Sequence, residues 1–496
     1  MCAQLSADKP TLKILIYTDD PQVALVDLPG EFLGLGSMVQ RLHAHAPAFA
    51  KLETTLVNRN SNAHADRRID VVLDEARNAG QPFDEIWFFG IHQANLDKFS
   101  VGAFRGGQNS ELSATEVTAL ERWMSTRDGF QGGGVLITGD HANPAPPGLV
   151  PTPDSPCGDT SAASNSLGLG RAIGRCVPRG GALRIWEGPP TREPNDSFST
   201  IASGVQLDRF PQQLILRNVN VDGDPDDSGQ PHPLFFYKPD EFIRVFPDHA
   251  HEGAVIIPQE LNPAVWPSGS KGQTRPQIVA LGTDKRRDQP LNIVATYNGD
   301  LAGVGRIVAD STWHHYMNIN LRGFPHPAPD GSASDQIGQF YGNLAVWLAP
   351  RSKRIQMARA MSWELARYTL LLERHENPES IGAAARWLME QAASPCEVHE
   401  LLQVLSPAES AAFIETTEQR IESTADQQLF LGCVLETYHE AMVRAESQSA
   451  AEAAANEAAP ITVESLIDIA LRKTVAEQEK RLRSKLEALS SANVNN

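Results

Sequence analysis

GGGVLITGDHAN, residues 132–143, decides how this chain is read. A glycine turn leads into a short apolar run, and the run ends in a sharp polar turn that displays Asp140 and His141. A second stretch, GRIVADSTWHH at residues 305–315, has the same form and displays Asp310, His314 and His315. Two buried strands that end in acid–histidine loops predict one polar site at the edge of a parallel sheet. Open α/β sheets place their ligands outside the carboxyl ends of their strands.

Outward from these stretches the pattern alternates. LKILIY, residues 12–17, reads as a first buried strand and is followed by Thr18, Asp19 and Asp20. Leu56 and Val57 begin a second strand. FDEIWFFG, residues 83–90, is another, with His92 just beyond it. ATEVTALERWMSTR, residues 114–127, spaces its apolar residues as a helix does. Strand–helix–strand alternation predicts an α/β class with a parallel sheet and helical crossovers.

Residues 144–200 are rich in Pro, Gly and Ser and predict a long irregular excursion with a small helix at 166–175. Strand-like runs return at 213–221, 254–258, 277–282, 291–297 and 305–309, and 337–348 reads as a closing helix. After Pro350 the composition turns helix-forming. The expected division is an α/β domain at 1–350, an all-α region at 351–445, an acidic low-complexity linker at 446–460 and a C-terminal amphipathic helix at 461–496.

A length of 496 residues predicts two or three domains. The net charge of −18 argues against a general nucleic-acid binder, because phosphate binding needs a basic surface. Cysteines at 2, 157, 176, 396 and 433 form no CxxC pair, so reduced thiols and a cytoplasmic location are expected. No apolar run approaches the roughly 18–20 residues that span a bilayer, so no membrane partner is expected.

Each polar constellation has a chemical and a plain reading. His141 is a general base or ligand oriented by Asp140, or a strand-end histidine bonded to backbone. Asp310, His314 and His315 form the densest ionisable cluster, suited to a divalent metal (Zn, Mn or Fe) held with His141, although no HExxH spacing is present. Trp313 beside them is a stacking surface for a sugar or a core aromatic. His249, His251 and Glu252 join the site or lie on a surface loop. Asp222, Asp224, Asp226 and Asp227 start like a calcium loop but lack its glycine and its final acid, so a solvated turn is preferred. GLGRAIG at 168–174 is GxGxxxG with no strand before it, and no nucleotide cofactor is inferred. Cys157 reads as an inert thiol.

GGGVLITGDHA resembles the GGGxxGxHA-type elbow of ThuA-like (trehalose-utilisation) proteins, within the class I glutamine amidotransferase-like superfamily. GVGRIVADSTWHH resembles their GxGRVxxxxxGH segment, and FDEIWFFG fits the same order. The resemblance covers residues 10–350 through these three short stretches. It implies a flavodoxin-like parallel sheet with helices on both faces. His141 stands where true amidotransferases carry a cysteine, so thiolate glutamine hydrolysis is not expected. In ThuA-like proteins that position is also histidine, and their late histidine matches His314 or His315. The family's link to carbohydrate metabolism implies a carbohydrate-like substrate.

The expected function is therefore hydrolysis, or a related reaction, on a polyhydroxylated small molecule. His141 is the base or a metal ligand, Asp140 and Asp310 are orienting carboxylates, His314 or His315 is the partner acid or second ligand, and His92 is a substrate-facing donor. The alternative is a non-catalytic ligand sensor or scaffold subunit of a multi-protein bacterial system. In that case residues 351–496 self-associate or recruit a protein.

Overall fold

The computed structural model describes residues 8–18, 34–59, 67–89, 113–138, 184–186, 212–219, 230–238, 241–247, 254–256, 268–269, 272–273, 276–284, 289–323, 332–366, 377–405, 424–447, and most of 466–484. The chain divides into two compact units. One is Thr11–Pro47 with Lys51–Arg351. The other is Met1–Pro10 and Ala48–Ala50 with Ser352–Asn496.

The first unit is built on an eight-stranded sheet. Its strands are β1 (Thr11–Thr18), β2 (Lys51–Asn58), β3 (Glu85–Phe89), β4 (Gly134–Thr138), β5 (Ile215–Leu216), β6 (Gln277–Asp284), β7 (Gln289–Tyr297) and β8 (Ile307–Asp310). Their spatial order is β2-β1-β3-β4-β8-β7-β6-β5. The strands from β2 to β8 in that order run parallel. β7, β6 and β5 are antiparallel additions at one side. The wholly parallel sheet expected from sequence is thus corrected. The reason is the connections: β6 to β7 and β7 to β8 are joined by short links with no crossover helix, and short links join only antiparallel strands.

Helices cover both faces of this sheet. They are α1 (Gly36–Ala44), α2 (Ile69–Asn78), α3 (Ala114–Met124), α4 (Asn318–Gly323) and α5 (Ser332–Leu348). Side chains alternate along each strand. Ile14, Ile16, Trp87, Leu136 and Val308 pack with Met38 and Leu42 of α1 and with Phe340 and Leu344 of α5. Leu15, Tyr17, Phe88, Val135, Ile137 and Ile307 pack with Val72 of α2 and with Leu120 and Trp123 of α3. Burial on both faces explains why the central strands are near-continuous apolar runs.

The glycines before β4 are there for space. A Cβ on Gly134 would lie 2.0 Å from the Leu348 backbone oxygen, so the strand and the end of α5 meet backbone to backbone. Gly132 turns the chain into the strand at φ +71°, a conformation glycine adopts freely.

In the second unit the described elements from residue 351 onward are α6 (Arg351–Ala366), α7 (Pro378–Ala392), α8 (Pro395–Leu405) and α9 (Thr424–Ser447). Asn377 caps α7, its side chain accepting from the Ser380 N–H at 3.0 Å, and Pro378 sits at the first helical position. α7 and α9 approach closely enough that a Cβ on Gly382 would strike the Gln428 carbonyl. The described part of 466–484 is helical, with Leu466 and Ala470 buried. Lys473 pairs with Glu440 of α9 at 2.7 Å. Among the described residues no helix is long and apolar enough to cross a membrane.

Candidate functional site

β4 and β8 lie side by side, with Thr138 opposite Asp310. The apolar runs of both diagnostic stretches therefore end at the same, carboxyl, edge. His92, Asp140 and His141 lie outside the described residues. So do Cys157, the glycines of 168–174, Asp222, Asp224, Asp226, Asp227, His249, His251 and Glu252.

β8 supplies three apolar residues to the two cores and then ends in Asp310, which has no solvent exposure. A carboxylate in such a place must be met by donors, and three are present. The Thr312 N–H donates to Oδ1 at 3.3 Å, closing a turn across the strand end. The Tyr316 hydroxyl donates to Oδ2 at 2.9 Å. His315 Nδ1 lies 2.8 Å from Oδ1. A carboxylate only accepts, so Nδ1 carries the proton of this bond. A 3₁₀ turn, Trp313–Tyr316, is what returns His315 and Tyr316 to the strand end.

Aromatic residues seal the cluster. The rings of Phe246 and His315 meet at 4.9 Å, and Tyr316 stacks on Tyr341 at 5.3 Å. The Tyr341 hydroxyl donates to the His315 carbonyl at 2.7 Å. Burial, and then the Asp310 charge, pushes the Tyr316 hydroxyl well above the usual phenol range. Burial does the same for Tyr341, with the Arg41 charge opposing and Asp310 reinforcing it. Both phenols therefore stay protonated donors at neutral pH. Beside them the Ser311 hydroxyl is buried and has no hydrogen-bond partner among the described residues.

The structure thus brings Asp310 and His315 together and encloses both. His314 lies in the same turn and is described by its backbone alone. Trp313 has no exposure, so it is a core aromatic and not a sugar platform. Among the described residues no group of three or more His, Cys, Asp or Glu side chains could hold a metal ion. Both Asp310 oxygens and His315 Nδ1 are engaged by each other or by Thr312 and Tyr316.

Sequence reasoning missed a second buried knot on this edge. Arg59 follows β2, and its guanidinium pairs with Glu116 at 2.9 Å; both side chains are buried. Glu116 also accepts from the Ile69 N–H at 3.2 Å, where α2 begins, and from the Ser113 N–H at 2.8 Å. The Ser113 hydroxyl accepts from the Glu116 N–H in return. This is a capping box, and its signature, Ser113-x-x-Glu116, is legible in the sequence. Tyr316 and Tyr341 carry no comparable signal, because only the fold brings them to Asp310.

Compared with protein-family models, with curated proteins and with solved structures, the chain finds no match in any of the three.

Proposed function

We propose that the sheet unit is a hydrolase of polyhydroxylated, carbohydrate-like small molecules, built on a flavodoxin-like sheet of the ThuA-like kind and working at the carboxyl edge of β4 and β8. The observation that carries this reading is the register Thr138 opposite Asp310, with an Asp–His pair ordered beside it. The order β2-β1-β3-β4-β8 supports the flavodoxin-like assignment, since it follows the doubly wound order 2-1-3-4-5. The unpartnered Ser311 hydroxyl supports a polar ligand or loop at this edge.

In this proposal His141, three residues past Thr138, is the general base. It takes a proton from water as the water attacks, with Asp140 fixing its tautomer. His314 returns a proton to the leaving oxygen, and His92 donates to a substrate hydroxyl. His315 and Asp310, enclosed as they are, act as positioning residues that hold the turn carrying His314. The test is turnover on a panel of p-nitrophenyl glycosides, sugar esters and sugar lactones. His141→Ala abolishes it while the circular dichroism spectrum stays native. Undiminished turnover in that variant refutes His141 as the base, and no turnover by the native chain across the panel refutes the enzyme reading. Elemental analysis of the same preparations tests a zinc, manganese or iron site, which would be lost in His141→Ala and His314→Ala.

A second reading, a non-catalytic ligand sensor or scaffold, draws on a different observation. Trp387 of α7 is 59% exposed, and Val443 of α9 and Ile469 are also exposed, which suits an assembly surface on residues 351–496. Light scattering of the full chain and of a chain ending at residue 445 tests self-association. Equal monomeric behaviour of both removes that version.

A further inference from the structure

A cleft of about 490 Å³ runs along the groove between α2 and α3, from Asp70 and Thr115 to Asp84 and Gly133 at the amino edge of the sheet. Asp84, just before β3, and Gly133, just before β4, lie at its base, and α2 and α3 form its walls. Its volume is that of a small-ligand pocket, roughly 300–1,000 Å³. We propose that this cleft binds a planar aromatic monocarboxylate that carries a hydrogen-bond donor on its ring.

Three features of the lining specify that class. The first is a pair of cations. Arg77 ends α2 and Arg122 ends α3, and their guanidinium carbons lie 4.1 and 5.5 Å from the centre of the Phe130 ring. Both arginines are exposed, and neither enters an ion pair among the described residues. Both forked donors lie against one aromatic ring in the cleft lining, a setting suited to an anionic carboxylate. The second is apolar surface. Phe83 and Trp123 line the cleft, and the indole is held by its Nε1–H donating to the Phe83 carbonyl at 3.2 Å. A Cβ on Gly133 would lie 2.2 Å from that indole, so ring and backbone are in close contact. The third is an acceptor. Asp70 also lines the cleft; its Oδ2 pairs with Arg68 at 3.4 Å, while its Oδ1 is buried and has no hydrogen-bond partner among the described residues. A buried acceptor left unmet is costly, and a ligand N–H or O–H relieves that cost.

The carboxylates also limit the ligand's charge. Asp70, Asp74 and Asp84 line the same cleft as the two arginines. A polyphosphate would meet them with several negative charges, whereas a monocarboxylate brings one and can direct it to the arginine end.

Calorimetric titration of the full chain with indole-3-propionate tests the proposal. The controls are its neutral amide, the N-methylindole acid, and inorganic phosphate and ATP as multiply charged competitors. Binding of the acid is expected, with at least a tenfold loss for the amide and for the N-methyl acid. Arg77→Gln and Arg122→Gln, both surface changes, should each weaken it about fivefold or more. Absence of binding, equal affinity for acid and amide, preference for ATP or phosphate, or native affinity in both glutamine variants overturns the proposal. His141→Ala binds the acid as the native chain does, so this result is separable from the fate of the carboxyl-edge hydrolase.

Discussion

Replacing Asp310 with alanine tests what the carboxyl-edge cluster does for the fold. The change removes the acceptor of three donors: the Thr312 N–H, the Tyr316 hydroxyl and His315 Nδ1. Each buried donor left without a partner costs ~1–3 kcal/mol. Water entering the vacated space recovers part of this, so the total is about 4 kcal/mol. That is a large share of the ~5–15 kcal/mol that stabilises a typical domain. Tyr316→Phe removes one donor and leaves the carboxylate two others, at a cost of about 2 kcal/mol. Asp310→Asn keeps an acceptor oxygen but turns an amide donor toward groups that are donors themselves, and falls between the two. Hydrogen exchange read by mass spectrometry on peptides covering 305–317 gives the opening free energy where the network sits. The expected order of loss is Asp310→Ala, Asp310→Asn, Tyr316→Phe. Protection in Asp310→Ala within ~1 kcal/mol of native would refute the view that the network holds this strand end. Native protection together with lost turnover would show that Asp310 acts on the substrate and is not a positioning residue.

Other perturbations have equally definite outcomes. Burial pushes the Glu397 carboxyl of α8 up to about 7, against the opposing hydrogen bonds from the Phe49 and Ala48 N–H groups and the Lys9 charge. Its folded value lies above the unfolded 4.5, so the stability linked to it is whole below pH 4.5 and is lost as pH rises through 7. The loss amounts to about 3 kcal/mol, and Glu397→Gln should flatten the urea midpoint across that window. Gly134→Ala drives a methyl group into the Leu348 carbonyl, which as backbone cannot swing aside. A loss of about 2–3 kcal/mol is expected, visible as a lower melting temperature. Glu116→Ala removes a charge partner of the buried Arg59 and the acceptor of the Ile69 N–H at the start of α2. It should cost about 3 kcal/mol in urea denaturation, whereas alanine at the exposed Asp74 should change little.

The central strands were legible because both of their faces are buried. Residues 14–17, 86–89 and 135–137 are apolar runs for the same reason that Leu15 and Ile16 pack into opposite cores. β2 was half seen. It is an edge strand whose early residues alternate between exposed and partly buried, so only Leu56 and Val57 stood out from KLETTLVN. α1 escaped notice because it buries little beyond Ser37, Met38 and Leu42 in its nine residues. The antiparallel side of the sheet was not legible as such, since a strand's direction is not written in its composition. It follows from the shortness of the links around β7.

The site was legible as a group of residue types, but the roles within it were not. His314 and His315 read as a pair of equals. The 3₁₀ turn Trp313–Tyr316 carries His315 into the interior, where it meets Asp310. His315, with Asp310, Tyr316 and Tyr341, forms a buried network that fixes geometry at this strand end. In the proposed reaction the proton is therefore exchanged by groups other than His315 at this edge. His314 is the adjacent histidine, and it is carried on the turn that the closed network holds in place.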